Sequence, residues 1–373
     1  MYLLQRYVVM PFFDRPVEKP EELFDREKEF EDLRKAIARY AITIVVGFRR
    51  VGKTSLIKAA TFDMPRVYVD VRKFEVLQYI TYDMFLDELK KSLSRFLSFD
   101  KRIVEYLRIV KGVKIFEVGV EFSYGRSRPL FTSILESLDR WAGDRGIKLV
   151  FIIDEAQELI KLKGYSIILA IAYAYDNLRN ISFVFAGSKI GLLYRFLKIH
   201  DPSSPLYGRY MERIELKPLT REKAIEFLRK GFEEHGIKVD EMFLEIAVQK
   251  LGGIIGWLSY LGLKTLSRGE ADPRIVDEVV EEASRIVVNE FCNFVNAMGS
   301  KRYIEIIKAI SSEGATWSQI KRYLEIKLGT KIYDSELSRL LKNLIDSGFI
   351  EKKDDLYIIP DLILRHSSKS IKC

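Results

Sequence analysis

The chain has 373 residues, 48% of them hydrophobic, a formal net charge of +8 and a pI of about 9.1. That length allows two or three domains with packed cores, and plentiful Tyr and Phe with sparse Pro exclude a disordered protein. The basic balance permits nucleic-acid binding without establishing it.

Cys292 and Cys373 lie far apart and imply no disulfide framework, so a reducing compartment is expected. The three isolated histidines give no metal-ligand spacing. The opening MYLLQRYVVMPFFDRP lacks the basic start and apolar core of a signal peptide. The longest apolar stretch, Ile167 to Tyr175, is too short to span a bilayer. A cytoplasmic protein with no membrane partner is expected.

In chain order, residues 1–20 read as an irregular lead-in, because Pro11, Pro16 and Pro20 interrupt helix. Glu21 to Tyr40 has the apolar spacing of an amphipathic helix. An apolar β-branched run from Ile42, a glycine-bounded loop and a helix from Ser55 to Ala60 come next. Strands are expected at 66–71, 148–155, 181–188 and 210–216. Helices are expected at 81–99, 129–146, 165–177 and 190–197. Val113 to Tyr124 alternates like a β-ribbon. Unalternated apolar strands between helices predict an α/β fold, a parallel sheet covered on both faces.

After Pro218 the pattern is helical: 221–236, 240–251, 255–268 and 273–298. From Ser300, helices at 301–311, 316–328 and 334–347 precede a strand, charged turn and strand over 349–359. That is the outline of a winged helix-turn-helix. The expected domains are 1–217, 218–299 and 300–373.

Gly47, Phe48, Arg49, Arg50, Val51, Gly52, Lys53 and Thr54 spell G-x-x-x-x-G-K-[ST] between strand and helix, which reads as a P-loop. The glycines let backbone N–H groups point at phosphate oxygens, and the helix N-terminus at Ser55 adds donors. Lys53 can reach the β- and γ-phosphates of ATP or ADP, and Thr54 can ligate Mg²⁺. An acid on a neighbouring buried strand completes such a site. Asp154 would hold Mg²⁺ and Glu155 would polarise the attacking water.

Ser188, at the end of a further strand, is either a γ-phosphate contact or a helix N-cap. Arg209 reads as a guanidinium for the γ-phosphate, in cis or in trans, or as a surface arginine. Arg49 and Arg50 are placed to meet phosphate or a neighbouring acid, with one of them facing solvent. Residues 300–373 carry fourteen Lys/Arg against ten Asp/Glu, half of the net charge. Arg339, Lys342, Lys352 and Lys353 are the candidate contacts to double-stranded DNA; a protein partner is the other reading.

These motifs resemble the archaeal ATPase family of the STAND/AAA-like P-loop class. The resemblance rests on Leu23 to Glu27, Gly47 to Leu56, Ile152 to Gln157, Ala186 to Ser188 and Ser204 to Arg209. It implies a P-loop core with a helical lid, and Phe24, Asp25 and Arg26 near the adenine. It also implies Asp154 and Glu155 as a Walker B pair and Arg209 as a finger or sensor; whether an oligomer forms on ATP binding is left open by the sequence. Phe48 stands where that family commonly has proline, and the lid segment Gly253 to Leu258 lacks the usual glycine-proline. The expected function is a slow Mg²⁺-dependent ATPase switch. The alternatives are a DNA-binding regulator with a mainly structural nucleotide and a small-molecule kinase, the last disfavoured by the helical tail and the Asp-Glu pair.

Overall fold

A computed structural model describes residues 12–116, 119–311 and 313–373. The first part of the expected lead-in, and the turn of the expected ribbon at 117–118, lie outside the described residues. The chain divides into two compact units. Of the described residues, one unit comprises 17–47 with 53–216; the other comprises 12–16, the loop 48–52, and 217–373.

The first unit is the α/β layer. After a short 3-10 turn at Pro20–Glu22, α1 spans Glu27–Arg39. It begins later than the apolar spacing predicts, because Asp25 takes a left-handed backbone (φ +52°) that breaks the helix before Glu27. Then come β1 (Ile42–Gly47), α2 (Lys53–Ala60), β2 (Arg66–Asp70), β3 (Ile80–Thr81) and α3 (Tyr82–Phe99). Next are α4 (Ile103–Arg108), β4 (Val113–Phe116), β5 (Gly119–Phe122), α5 (Phe131–Gly143) and β6 (Leu149–Asp154). The unit closes with β7 (Leu162–Lys163), α6 (Ile167–Asn177), β8 (Ile181–Gly187), α7 (Ile190–Leu197) and β9 (Glu212–Leu216).

The main sheet runs β2-β6-β8-β1-β9 with every neighbour parallel. Every residue of β1, β6 and β8 is buried, which explains their unalternated apolar spelling. The strand carrying Asp154 is not the immediate neighbour of the P-loop strand that the sequence leads one to expect. β8 lies between them, because Ile42 to Val46 pair with Phe183 to Gly187. The β-ribbon exists as β4 and β5, antiparallel with Val113 opposite Phe122. Helix α4 is an addition to the expected elements.

The second unit contains α8 (Arg221–Glu234), α9 (Glu241–Leu251), α10 (Ile255–Arg268) and α11 (Pro273–Met298). The winged helix is built from α12 (Arg302–Ile310), β10 (Ala315–Thr316), α13 (Trp317–Leu328), α14 (Asp334–Asp346), β11 (Glu351–Lys353) and β12 (Leu356–Ile358). A further helix, α15 (Leu362–Ser367), is also an addition to the expected elements. β10, β12 and β11 form one small antiparallel sheet. Thr220, Asp240, Asp272, Thr316 and Asp361 each cap a helix by accepting a backbone N–H, fixing where α8, α9, α11, α13 and α15 begin.

Two local features correct the sequence reading. Cys292 on α11 and Cys373 form a disulfide, with Cα atoms 5.3 Å apart, because the fold returns the chain to α11 across 81 residues. Phe12, expected in an irregular lead-in, is a buried anchor. A Cβ at Gly231 or Gly262 would lie 2.2 Å or 2.4 Å from its ring, so α8 and α10 each present bare backbone to it. Its ring also meets Phe227 and Phe232 edge-on. Phe12→Ala should lower the unfolding free energy by about 3–5 kcal/mol. Guanidinium denaturation reads this directly, and an unmoved midpoint would remove Phe12 from the core.

Candidate functional site

β1 ends at Gly47, where the loop leaves the sheet, and α2 begins at Lys53. Gly52 has φ +98° and Arg50 has φ +64°, the left-handed geometry that turns successive amides inward. Lys53 is buried, and its ammonium donates to the Gly47 carbonyl at 2.9 Å, so the lysine folds across its own loop. Phe48, Arg49, Arg50, Val51 and Gly52 belong to the second unit, whereas Lys53, Thr54 and Ser55 belong to the first.

Asp154, the last residue of β6, has 0% exposure. Its Oδ2 accepts hydrogen bonds from Thr54 Oγ1 at 2.8 Å and Tyr68 Oη at 2.6 Å. Its Oδ1 accepts from the Glu155 amide at 3.0 Å, and the Arg72 guanidinium stands 3.7 Å from Oδ2. Burial pushes this carboxyl above the ordinary carboxylate range, the hydrogen bond from Tyr68 pulls it down, and the Glu155 charge pushes it up. Burial, then the charge of Asp154, pushes the Tyr68 phenol well above its usual value, which keeps it a donor. Sequence reasoning missed Tyr68 and Arg72. Their place is set by the register of β2 with β6, which puts Asp70 opposite Asp154 and is not written in local spacing.

Glu155 takes a left-handed backbone, φ +54° and ψ +40°, unusual for a residue with a side chain. Its Oε2 accepts from Gln157 Nε2 at 2.6 Å, Ser188 Oγ at 2.9 Å and the Ser188 amide at 3.4 Å. The structure thus brings Ser188 to Glu155. The N-cap of α7 is Lys189, so the alternative reading of Ser188 as that cap falls away. Gln157 is almost wholly buried, and its Oε1 has no hydrogen-bond partner among the described residues. A Cβ at Gly187 would meet that oxygen at 2.4 Å, so the glycine ending β8 makes room for the amide.

Arg209 is not brought to this cluster. It pairs with Asp176, at the end of α6, at 2.6 Å and 3.2 Å, and lies over the Tyr175 ring. Phe24, Asp25 and Arg26 lie at the bend before α1. Arg26 is buried there, with Nη1 3.3 Å from the Asp25 carbonyl and 3.6 Å from Glu29. The loop arginines both reach one acid, Glu290 of α11, at 2.9 Å from Arg49 and 3.5 Å from Arg50. The expectation that one of them faces solvent is corrected by this shared carboxylate.

On the winged helix, Arg339 and Lys342 are exposed on α14, and Lys352 and Lys353 are exposed on β11. Of the acids on these elements, Asp334 pairs with Lys321, Glu336 with Arg302 and Glu351 with Lys353, while Asp354 and Asp355 stand exposed beside Lys353. A second cationic surface has no counterpart in the sequence reading. Lys90, Lys91 and Arg95 of α3 and Phe116 of β4 line a cavity of about 620 Å³. Here Lys90 pairs with Glu121 and Lys91 with Glu88.

A glycine-bounded loop at one strand end, with a buried aspartate and a clamped glutamate at another, makes this a P-loop ATPase fold, and the chain also carries a winged helix. The chain belongs to the family of ATPase domains found predominantly in Archaea, whose model matches residues 23–261. Residues 298–359 match the C-terminal winged helix-turn-helix domain of MCM proteins. The chain is similar to a solved Walker-type ATPase of Pyrococcus abyssi, with 32% identity, a TM-score of 0.83, and 96% of this chain and 100% of that chain covered. The ORC2 protein of Aeropyrum pernix, solved in ADPNP–ADP complexes, shares the fold at 14% identity and a TM-score of 0.61, covering 97% of this chain and 96% of that one. An uncharacterized protein of Methanocaldococcus jannaschii is 23% identical over 334 residues, 88% of this chain. The chain spans 62% of the length of that curated relative. Among the described residues no helix is long and apolar enough to cross a membrane.

The oxygen donors of Thr54 and Asp154 fit Mg²⁺. Among the described residues no group of three or more His, Cys, Asp and Glu could hold a metal, so phosphate and water would complete the shell. Glu155→Gln should retain nucleotide and lose about 10²- to 10⁴-fold in hydrolysis, measured as phosphate release; full turnover would exclude Glu155 as the base.

Because burial raises the Asp154 carboxyl, the folded protein holds that proton more tightly than the unfolded chain. Stability is then lost as pH rises from the unfolded pKa through the folded one, and the ionised group is a net cost at neutral pH. Asp154→Asn should therefore melt no lower than wild type at pH 7 without nucleotide, while losing hydrolysis. A clear drop in Tm would show that the hydrogen bonds to the carboxylate outweigh its burial.

Proposed function

We propose that the protein is a slow Mg²⁺-dependent ATPase that works as a nucleotide-driven switch. The observation that carries this reading is the contact between the loop tip and the helical lid. The Gly256 amide, in the first turn of α10, donates to the Arg50 carbonyl at 2.9 Å. A Cβ at Gly52 would stand 3.7 Å from Ile255, so the lid approaches the loop without the proline that the resembled family uses. A nucleotide that reshapes residues 48–52 must act on α10, and closures of this kind commonly transmit ligand state.

In this reading residues 1–217 are the ATPase core, 218–299 the lid and 300–373 the winged-helix output. Lys53 and the loop amides bind the phosphates, Thr54 and Asp154 hold Mg²⁺, and Phe24 to Arg26 flank the adenine. Glu155 orients the attacking water, and Ser188 with Gln157 sets its carboxylate. Arg209 serves a phosphate only when its pair with Asp176 opens, as a finger offered to a second copy would require.

A second reading, a DNA-binding regulator with a mainly structural nucleotide, draws on the winged helix and its exposed Arg339 and Lys342. Two measurements separate them. Lys53→Ala should abolish ATP binding by calorimetry and, for a switch, the ATP-dependent change in proteolysis of the lid. If the wild-type proteolysis pattern is the same with ATP, with ADP and with neither, the switch reading fails. Duplex DNA affinity should fall steeply with salt. Arg339→Ala with Lys342→Ala should weaken it by about tenfold or more, taking about 1 kcal/mol or slightly less per phosphate contact. Unchanged affinity in that variant, with loss instead in Lys90→Glu/Lys91→Glu, would move the DNA surface to α3.

A further inference from the structure

The P-loop tip carries consecutive arginines where a polyphosphate is to bind, and both are held by a carboxylate from a distant stretch of sequence. Glu290 Oε1 stands 2.9 Å from Arg49 and 3.5 Å from Arg50. All three side chains are partly shielded, between 25% and 31% exposed, so the attraction is less screened than at an open surface.

Arg50 is fixed from three further directions. Its backbone is left-handed, its carbonyl accepts from Gly256, and its guanidinium lies 4.2 Å above the buried Trp257 ring. A Cβ at Gly256 would come within 2.7 Å of the Arg50 Cβ, so only bare backbone lets α10 close on the arginine. Asp361, the N-cap of α15, feels both the Glu290 charge and the Arg50 charge, which places the start of α15 at the same cluster.

We infer that Glu290 is a positioning residue that occupies Arg49 and Arg50 in place of phosphate, so that ATP must take the arginines from it and ADP need not. The inference rests on the proposed binding of nucleotide at the loop. The competition is between like charges. A carboxylate offers one negative charge and a terminal γ-phosphate offers more, with bidentate geometry suited to guanidinium.

Releasing Glu290 matters beyond the loop because the next turn of α11 packs on the winged helix. Phe291 meets Phe349 at 5.1 Å between ring centroids, and Phe294 meets Tyr303 and Phe349 at 5.0 Å each. The residue that holds the arginines therefore sits one position before the aromatic contact between α11 and the winged helix. A shift of α11 would be felt at Phe349, between α14 and β11. By linkage, whatever the winged helix binds would alter ATP affinity by the same factor.

The test uses the full chain and its neutral isostere. Glu290→Gln removes the competing charge while keeping the shape. Calorimetry should show ATP binding tightened by about fivefold or more, with ADP binding nearly unchanged, a factor at the low end of ordinary site-to-site coupling. The emission of Trp257, identified by difference against Trp257→Phe, should change with ATP in wild type. In nucleotide-free Glu290→Gln it should already be shifted toward that state. Arg49→Gln should cancel the effect of Glu290→Gln in a double-mutant cycle. A merely structural role would lower Tm without changing the ratio of ATP to ADP affinity. An ATP/ADP ratio equal to wild type in Glu290→Gln, in a protein whose wild type binds ATP, overturns the inference. A wild type that binds no nucleotide at the loop overturns the proposed function instead.

Discussion

A fully buried carboxylate at the end of β6 is the constraint around which the core is arranged. An ionised Asp154 without solvent is tolerable only because Tyr68 and Thr54 donate to it and Arg72 stands nearby. Each partner comes from a different element. Thr54 opens α2, Tyr68 lies on β2 and Arg72 comes just after β2. The parallel register of β2 with β6 brings two of them to the same sheet end. In the proposed function, the same charge that costs stability is what would draw a hard cation.

Next to it, Glu155 shows how a carboxylate is kept in place. Its backbone is left-handed and its carboxylate is held by Ser188 and Gln157. That arrangement needs β8 between β1 and β6, and it needs a glycine at 187 to admit the Gln157 amide. Strain, hydrogen bonds and strand order together fix the direction in which the carboxylate faces.

The loop tip has a different set of obligations. Arg50 is bound by its carbonyl to Gly256, by its guanidinium to Glu290 and by its face to Trp257. All of these ties lie within the second unit, to which residues 48–52 belong. Two glycines at the start of α10 admit close backbone approaches. Gly253 accepts the close approach of Leu219, whose carbonyl would lie 1.9 Å from a Cβ there, and Gly256 accepts that of Arg50.

The local elements were legible in the sequence where periodicity or chemistry is local. The buried strands spell themselves as apolar runs, the P-loop needs its two glycines, and Thr220, Asp240 and Thr316 mark helix starts within a turn. The acidic pair and Ser188 could be named from their place at strand ends. The sequence by itself thus determined the class of fold, the glycine-bounded loop and the acids at the strand ends, because these depend on residues a few positions apart. Only the tertiary structure decided which distant groups meet. Strand order placed β8 between the P-loop strand and Asp154; chain return joined Cys292 to Cys373; Gly231 and Gly262 admitted Phe12. Glu290, more than two hundred residues from the loop, was delivered to Arg49 and Arg50. Such pairings are set by how helices and strands stack, and no spacing along the chain records them. The P-loop was readable from eight residues, whereas the grip on its arginines was written in the packing of α10 and α11.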